Sequence, residues 1–114
     1  MRYIRTSFDR ADERRDRRYP LPPLTVTVDG KAYTTLNWSL GGFLLGDWTI
    51  PTKAAEVLSG MLQAEKDGPR FGFTIEVVRW NSDSSSLAAK FVEIEPGAID
   101  HLDRSLARRF ARRR

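Results

Sequence analysis

The feature that most constrains the fold of this chain is a β-hairpin pattern in its first third. Residues 24–28 alternate apolar side chains with threonine, and their β-branched residues favour a strand. Asp29-Gly30 follows, and glycine tolerates the positive φ that a two-residue type I′ turn requires. Residues 31–36 then predict the returning strand, so the pattern indicates antiparallel β-structure.

Three later segments also have the pattern of strands. Residues 43–45 are a short apolar run, residues 71–80 begin with an apolar residue at every second position, and residues 86–94 predict the last strand. Turn signals at 67–69 and 81–85 separate them. With 114 residues, the chain has room for one domain and its core but not for a second.

Two further segments have helical spacing. The apolar stripe of residues 98–112 consists of Ile99, Leu102, Leu106 and Phe110. This stripe predicts a C-terminal helix, with His101 off the stripe. In residues 52–66, apolar side chains also follow helical spacing, although Gly60 costs a helix about 1 kcal/mol relative to alanine. The pattern alone therefore favours a helix at 52–66.

Positive charge is concentrated at both ends of the chain. Residues 1–18 hold seven arginines against four acidic residues, and residues 98–114 hold six arginines against two. Residues 19–97 hold six Lys or Arg against nine Asp or Glu. A barrel that binds nucleic acid normally carries positive charge across its binding face. Positive charge at the two ends of the chain suits the capture of a small anion better than the binding of a long nucleic acid. Two solvated terminal segments without a binding role would have the same composition.

Residue types disfavour several classes of function. The chain has no cysteine and a single histidine, which excludes disulfides and histidine-based metal cages within one chain. The serine-rich loop 82–86 has no nearby base, so we expect no catalytic nucleophile there. With these residue types, we expect neither an enzyme nor a metal site. No apolar run approaches the roughly 18–20 residues of a membrane-spanning helix, and no secretory signal begins the sequence. We therefore expect no membrane insertion.

Two short motifs carry the chemistry, and the first is arginine-rich. Residues 14–18 read Arg-Arg-Asp-Arg-Arg, so Arg14 and Arg18 are four apart and lie on one side of a helix or of an extended strand. Guanidinium groups bind phosphate oxygens, match the O6/N7 edge of guanine and stack on flat rings. A ligand with guanines and phosphates is therefore a natural target, although other arginine pairs in this chain share the spacing.

The second motif, residues 37–42, reads Asn-Trp-Ser-Leu-Gly-Gly. Asn37 and Ser39 offer hydrogen-bond donors and acceptors and point the same way in an extended segment, whereas Trp38 points to the opposite side. Gly41 and Gly42 allow the backbone to bend sharply or to approach a flat ligand. The motif suits reading of a nucleobase edge. An ordinary glycine turn, with the polar side chains capping their own backbone, has the same pattern.

In this order, the two motifs resemble those of the PilZ domain family. The family signatures are R-x-x-x-R and (D/N)-x-S-x-x-G, separated by one hairpin, and here Arg18 precedes Asn37 by nineteen residues. The resemblance covers roughly residues 10–96. It implies a mainly β fold, a six-stranded antiparallel β-barrel with a C-terminal α-helix. It also places a strand at 53–66, where the pattern alone favours a helix.

The same resemblance implies an organisation and a role. A flexible basic segment at 1–18 would precede the barrel at 19–97 and the helix at 98–114. PilZ domains bind cyclic di-GMP in the bacterial cytoplasm, without catalysis, and signal to a protein partner. The resemblance therefore implies a small-molecule ligand and no nucleic acid polymer. Two alternatives stay open: a small barrel that binds RNA or DNA through its arginine-rich ends, and a ligand-free protein-interaction module.

The resemblance also implies a set of ligand-binding residues. For cyclic di-GMP these are Arg14, Arg15, Arg18, Asn37, Ser39, Gly41 and Gly42. The arginines would clamp guanine and phosphate groups from one side. Asn37 and Ser39 would read a guanine edge from the barrel surface, and Gly42 would permit the turn. In members that bind an intercalated ligand dimer a basic residue often precedes the first motif arginine, a position that Glu13 occupies here.

Overall fold

The computed structural model describes residues 4–5 and 18–112, with side chains described for residues 18–107. Seven strands and one helix lie in these ranges. In chain order they are β1 (Ile4–Arg5), β2 (Thr25–Val28), β3 (Lys31–Ser39), β4 (Gly42–Leu45), β5 (Val57–Gln63), β6 (Arg70–Asn81), β7 (Ser86–Ile94) and α1 (Ala98–Arg112). The last strand and the helix have the bounds that the sequence predicts.

Six of these strands form a closed antiparallel barrel. Their order is β7-β4-β3-β2-β5-β6, and pairing of β6 with β7 closes the barrel. The six-stranded antiparallel barrel with a C-terminal helix is thus confirmed. The two-residue β1 adds to β7, where Ile4 lies opposite Ile94 and Arg5 lies opposite Glu93. The sequence patterns do not predict this short strand.

The first hairpin forms where the sequence predicts it. Strands β2 and β3 pair in antiparallel register, with Val28 opposite Lys31 at the turn. Asp29 and Gly30 have φ values of 50° and 80°, both positive, as a type I′ turn requires. This turn matches the right-handed twist of the strands it joins.

Strand β5 lies in the segment for which pattern and family resemblance disagree. The helical interpretation of residues 52–66 is wrong, because β5 pairs with β2 on one side and with β6 on the other. Its side chains alternate, with Leu62 fully buried and Val57 and Met61 exposed. A helix here would leave β2 and β6 with open edges, so strand pairing overrides the local helical spacing.

Aromatic side chains fill much of the barrel interior. The rings of Phe43, Phe73 and Phe91 pack edge to face, with centroids 5.5 to 5.9 Å apart. Trp38 is fully buried, and its Nε1 donates a 2.7 Å hydrogen bond to the carbonyl oxygen of Pro22. Because Trp38 anchors β3 from the inside, the neighbouring polar side chains are held towards the outer face.

Helix α1 packs against the same core. Its buried residues are Ala98, His101, Leu102, Ser105 and Leu106. His101 lies off the predicted stripe, yet it is buried with its ring centroid 5.4 Å from that of Phe71. His101 Nε2 and Ser105 Oγ have no hydrogen-bond partner within the described residues. Within the described residues, α1 lacks the length and the apolar composition of a membrane-spanning helix.

Candidate functional site

A cavity of about 450 Å³ lies on the outer face of four neighbouring strands, in the order β3, β4, β7 and β6. Its floor includes the small residues Gly42, Ala88 and Ala89, which leave room above the sheet. Its polar and charged lining residues are Arg18, Asn37, Ser39, Arg79 and Lys90. The cavity therefore combines a low floor with hydrogen-bonding groups on both sides.

The strand register places these residues in two rows that run across the four strands. The first row consists of Asn37 on β3, Leu44 on β4, Ala88 on β7 and Arg79 on β6. The second row consists, in the same strand order, of Ser39, Gly42 and Lys90, and it ends at Glu76, which is not among the lining residues of the cavity. Neighbouring strands are about 4.8 Å apart, so each row spans roughly 14 Å. In the first row, polar side chains lie at the two ends and apolar ones between them.

Arg18 lies beside the first row because the chain before β2 pairs with β3. Tyr19 and Trp38 exchange backbone hydrogen bonds of 2.7 and 2.9 Å, which hold this part of the chain in place. Arg18 Nε donates a 2.8 Å hydrogen bond to Asn37 Oδ1. Partial burial lowers the pKa of the Arg18 guanidinium below its ordinary value, yet arginine stays protonated near neutral pH. Arg18 from the first sequence motif and Asn37 from the second are thus in contact at this wall of the cavity.

The Arg18–Asn37 pair retains donors that a ligand can use. The amide nitrogen of Asn37 and the terminal nitrogens of Arg18 have no partner within the described part of the chain. Arginine and asparagine donors both match acceptor atoms on the edges of purine bases. The pair therefore has the chemistry to read a base edge.

Ser39 takes part in the bend that joins β3 and β4. Its side chain is buried, and its Oγ accepts a 3.1 Å hydrogen bond from the backbone N–H of Gly41. The serine thus caps its own backbone, as the glycine-turn interpretation of the motif expects. A hydroxyl can accept and donate at once, and within the described residues the Ser39 hydroxyl donates to no partner.

Gly42 is required for a reason that the sequence alone does not reveal. Positive φ occurs at Gly30 and Gly97 among the described glycines, so Gly42 is not a left-handed turn residue. A Cβ at position 42 would instead overlap the carbonyl oxygen of Ala89 and lie 2.9 Å from the Cα of Lys90. Close approach of β4 to β7, rather than the bend itself, makes any larger residue unfavourable here.

The cavity is positively charged. Arg18, Arg79 and Lys90 line it, and no carboxylate is among its described lining residues. Lys90 forms a 3.6 Å ion pair with Glu76, and both side chains are partly exposed, so water weakens this attraction. The Arg79 side chain is exposed and has no ion-pair or hydrogen-bond partner within residues 18–107. The arrangement is suited to binding an anion.

Arg79 and Lys90 are site residues that the sequence motifs miss. The adjacent residues Val77 and Val78 interrupt the alternation of β6, which is a sequence signal for a bulge and could have indicated that Arg79 turns outward. Lys90 lies within regular alternation and has no comparable signal. Only the pairing of β4 with β7 brings Lys90 beside Gly42.

The predicted binding residues fall into two groups. Arg14 and Arg15 lie outside the described residues. The predicted members that line the cavity are Arg18, Asn37, Ser39, Gly41 and Gly42. No group of three or more His, Cys, Asp or Glu residues that could hold a metal ion occurs in the described part of the chain. The structure thus brings together every predicted site residue that it describes.

Comparison with known proteins assigns this chain to no family. No protein-family model matches this sequence, and no curated protein matches it. Membership of the PilZ family therefore stays a prediction from the two motifs.

Proposed function

We propose that this protein is a PilZ-type receptor for cyclic di-GMP, which changes conformation on binding and signals to a protein partner. The observation that carries the proposal is the contact between the two motifs. Arg18 donates a hydrogen bond to Asn37 at the wall of a positively charged cavity, and Ser39 and Gly42 line the same cavity. This combination supports a ligand with both anionic groups and nucleobases.

The chemistry of cyclic di-GMP matches these groups. The ligand has two guanines and two singly charged phosphodiesters. Arginine donates two hydrogen bonds to O6 and N7 of guanine, and the Asn37 amide adds a further donor beside Arg18. Lys90 lies beside Gly42 near the centre of the cavity and supplies positive charge for a phosphodiester.

The N-terminal segment supplies the conformational response in this proposal. Residues 1–18 hold seven arginines, including Arg14 and Arg15. Tyr19 ties the end of this segment to Trp38, directly beside the cavity. We expect ligand binding to fix the preceding arginines over the cavity, with charge-assisted hydrogen bonds offsetting the entropy lost on ordering. A partner protein would then recognise the changed surface.

Titration calorimetry on the full chain tests this proposal. Cyclic di-GMP should bind with roughly tenfold or greater preference over GTP and cyclic AMP, a difference of about 1.4 kcal/mol or more. Asn37→Ala should weaken binding by about 1–3 kcal/mol because a base-edge donor is lost. Asn81→Ala is the control for affinity, since Asn81 is exposed and lies on β6 outside the cavity. Its Oδ1 accepts hydrogen bonds from the N–H groups of Asp83 and Ser84, so this variant should lose some stability while its affinity for cyclic di-GMP stays at the wild-type value.

The same titration separates this function from nucleic-acid binding. A single-stranded RNA oligonucleotide should bind more weakly than cyclic di-GMP at physiological salt. RNA binding that is tighter than cyclic di-GMP binding and that falls steeply with salt would refute the proposal and favour an RNA-binding barrel.

A further inference from the structure

Strand β3 contains a bulge directly before Asn37. Thr35 lies opposite Leu45 and Asn37 lies opposite Leu44, so Leu36 is an extra residue without a partner on β4. Residues two apart on a regular strand face the same side, and Thr35 is buried. Without Leu36 as an insertion, Asn37 would face the core. The bulge therefore turns this side chain to the cavity.

Strand β6 contains a corresponding bulge directly before Arg79. Val77 lies opposite Ala89 and Arg79 lies opposite Ala88, so Val78 is the extra residue. Val77 is only 1% exposed, and in a regular strand Arg79 would share its inward orientation. The bulge instead leaves Arg79 exposed at the wall of the cavity. Bulges are known to re-aim side chains next to functional sites.

The two bulges have matching positions at the ends of one row. They precede Asn37 and Arg79, which end the row across the four strands roughly 14 Å apart. Each bulge leaves a large apolar side chain 53% exposed, Leu36 on one strand and Val78 on the other. Burial of Leu36 or Val78 therefore contributes little to keeping the bulges, and the effect that the two bulges share is to turn Asn37 and Arg79 to the cavity.

Arg79 and Lys90 are the cationic side chains on this side of the cavity; Lys90 is paired with Glu76, whereas the Arg79 side chain has no partner within the described residues. We propose that Arg79 binds the guanine in the half of the dinucleotide distant from Asn37. The inference rests on the proposed function. It makes Arg79 the residue that distinguishes a guanine dinucleotide from a mononucleotide, because a mononucleotide at Arg18 and Asn37 does not extend to the far wall.

The test compares Arg79→Ala with the wild type for two ligands, cyclic di-GMP by calorimetry and guanosine monophosphate by NMR titration. Arg79→Ala should weaken cyclic di-GMP binding about 5- to 150-fold, which corresponds to one lost bidentate contact with a base. Binding of the monophosphate should stay within about twofold of the wild type, since one lost surface charge acts weakly through screened solvent.

Arg70→Ala is the matched control. It removes the same charge from the same strand, and Arg70 is exposed and lies outside the cavity. Cyclic di-GMP binding should therefore stay close to that of the wild type in this variant. The thermal unfolding midpoint of Arg79→Ala should also match the wild type, because the side chain is exposed.

The outcomes are distinguishable. If the wild type does not bind cyclic di-GMP, the proposed function fails, and this inference fails with it. If the wild type binds but Arg79→Ala binds equally well, only this inference fails, and the β6 bulge serves to shape the barrel. An equal loss of affinity for both ligands would also overturn it, because Arg79 would then act through charge alone.

Discussion

Replacing Gly42 with alanine tests whether close contact between β4 and β7 explains the glycine of the second motif. An added Cβ would overlap the carbonyl oxygen of Ala89, and the Cα of Lys90 lies 2.9 Å away. Both are backbone atoms, so neither can yield by a side-chain rotation. Relief requires that β4 move away from β7 at the first of their four registered pairs.

The expected cost follows from two contributions. Overpacking of a well-packed site costs about 1–3 kcal/mol. A 2.8 Å hydrogen bond from the N–H of Phe91 to the carbonyl oxygen of Gly41 flanks the clash, and its loss adds about 1 kcal/mol. We therefore expect Gly42→Ala to lower the free energy of unfolding by about 2–4 kcal/mol. For a domain of this size the midpoint should fall by roughly 8–16 °C.

Thermal unfolding followed by circular dichroism measures this effect, with Gly46→Ala as the matched control. Gly46 directly follows β4, and the nearest atom to its added Cβ is a side-chain carbon of Leu36 at 3.4 Å, which can move. The control should unfold at the wild-type temperature or up to about 4 °C above it, because alanine reduces the entropy of the unfolded chain. Equal midpoints for the two variants would refute the close-contact explanation.

Three further outcomes are expected. Arg18→Ala removes the hydrogen bond to Asn37 and the proposed contact with a base. Calorimetry should therefore show cyclic di-GMP binding weakened by about 1–3 kcal/mol. An unchanged affinity would count against the proposed site. Ser105→Ala removes a buried hydroxyl that has no hydrogen-bond partner within the described residues. A urea titration should show the free energy of unfolding raised by about 1 kcal/mol. A loss of stability would instead reveal a partner for that hydroxyl. Amides of residues 8–18 should exchange more slowly with cyclic di-GMP bound, and equal protection in both states would reject the ordering mechanism.

The candidate site could be predicted only in part, because the motifs cover one of its two walls. Asn37 and Ser39 are recognisable from their spacing and from the glycines that follow. Arg79 is separated from them by more than thirty residues and joins them through the pairings of β4 with β7 and of β7 with β6. A row across four strands exists only once the barrel is closed, so no local window of sequence contains it.

The amino-acid sequence by itself determined those elements whose signals are local. Alternation and Asp29-Gly30 specify the first hairpin, and the apolar stripe specifies the C-terminal helix, because periodicity and turn chemistry act between near neighbours. Tertiary structure decided that β5 is a strand, since β2 and β6 both required a pairing partner. It also decided that Asn37 and Arg79 face one cavity, because a bulge is defined only against the register of the adjacent strand.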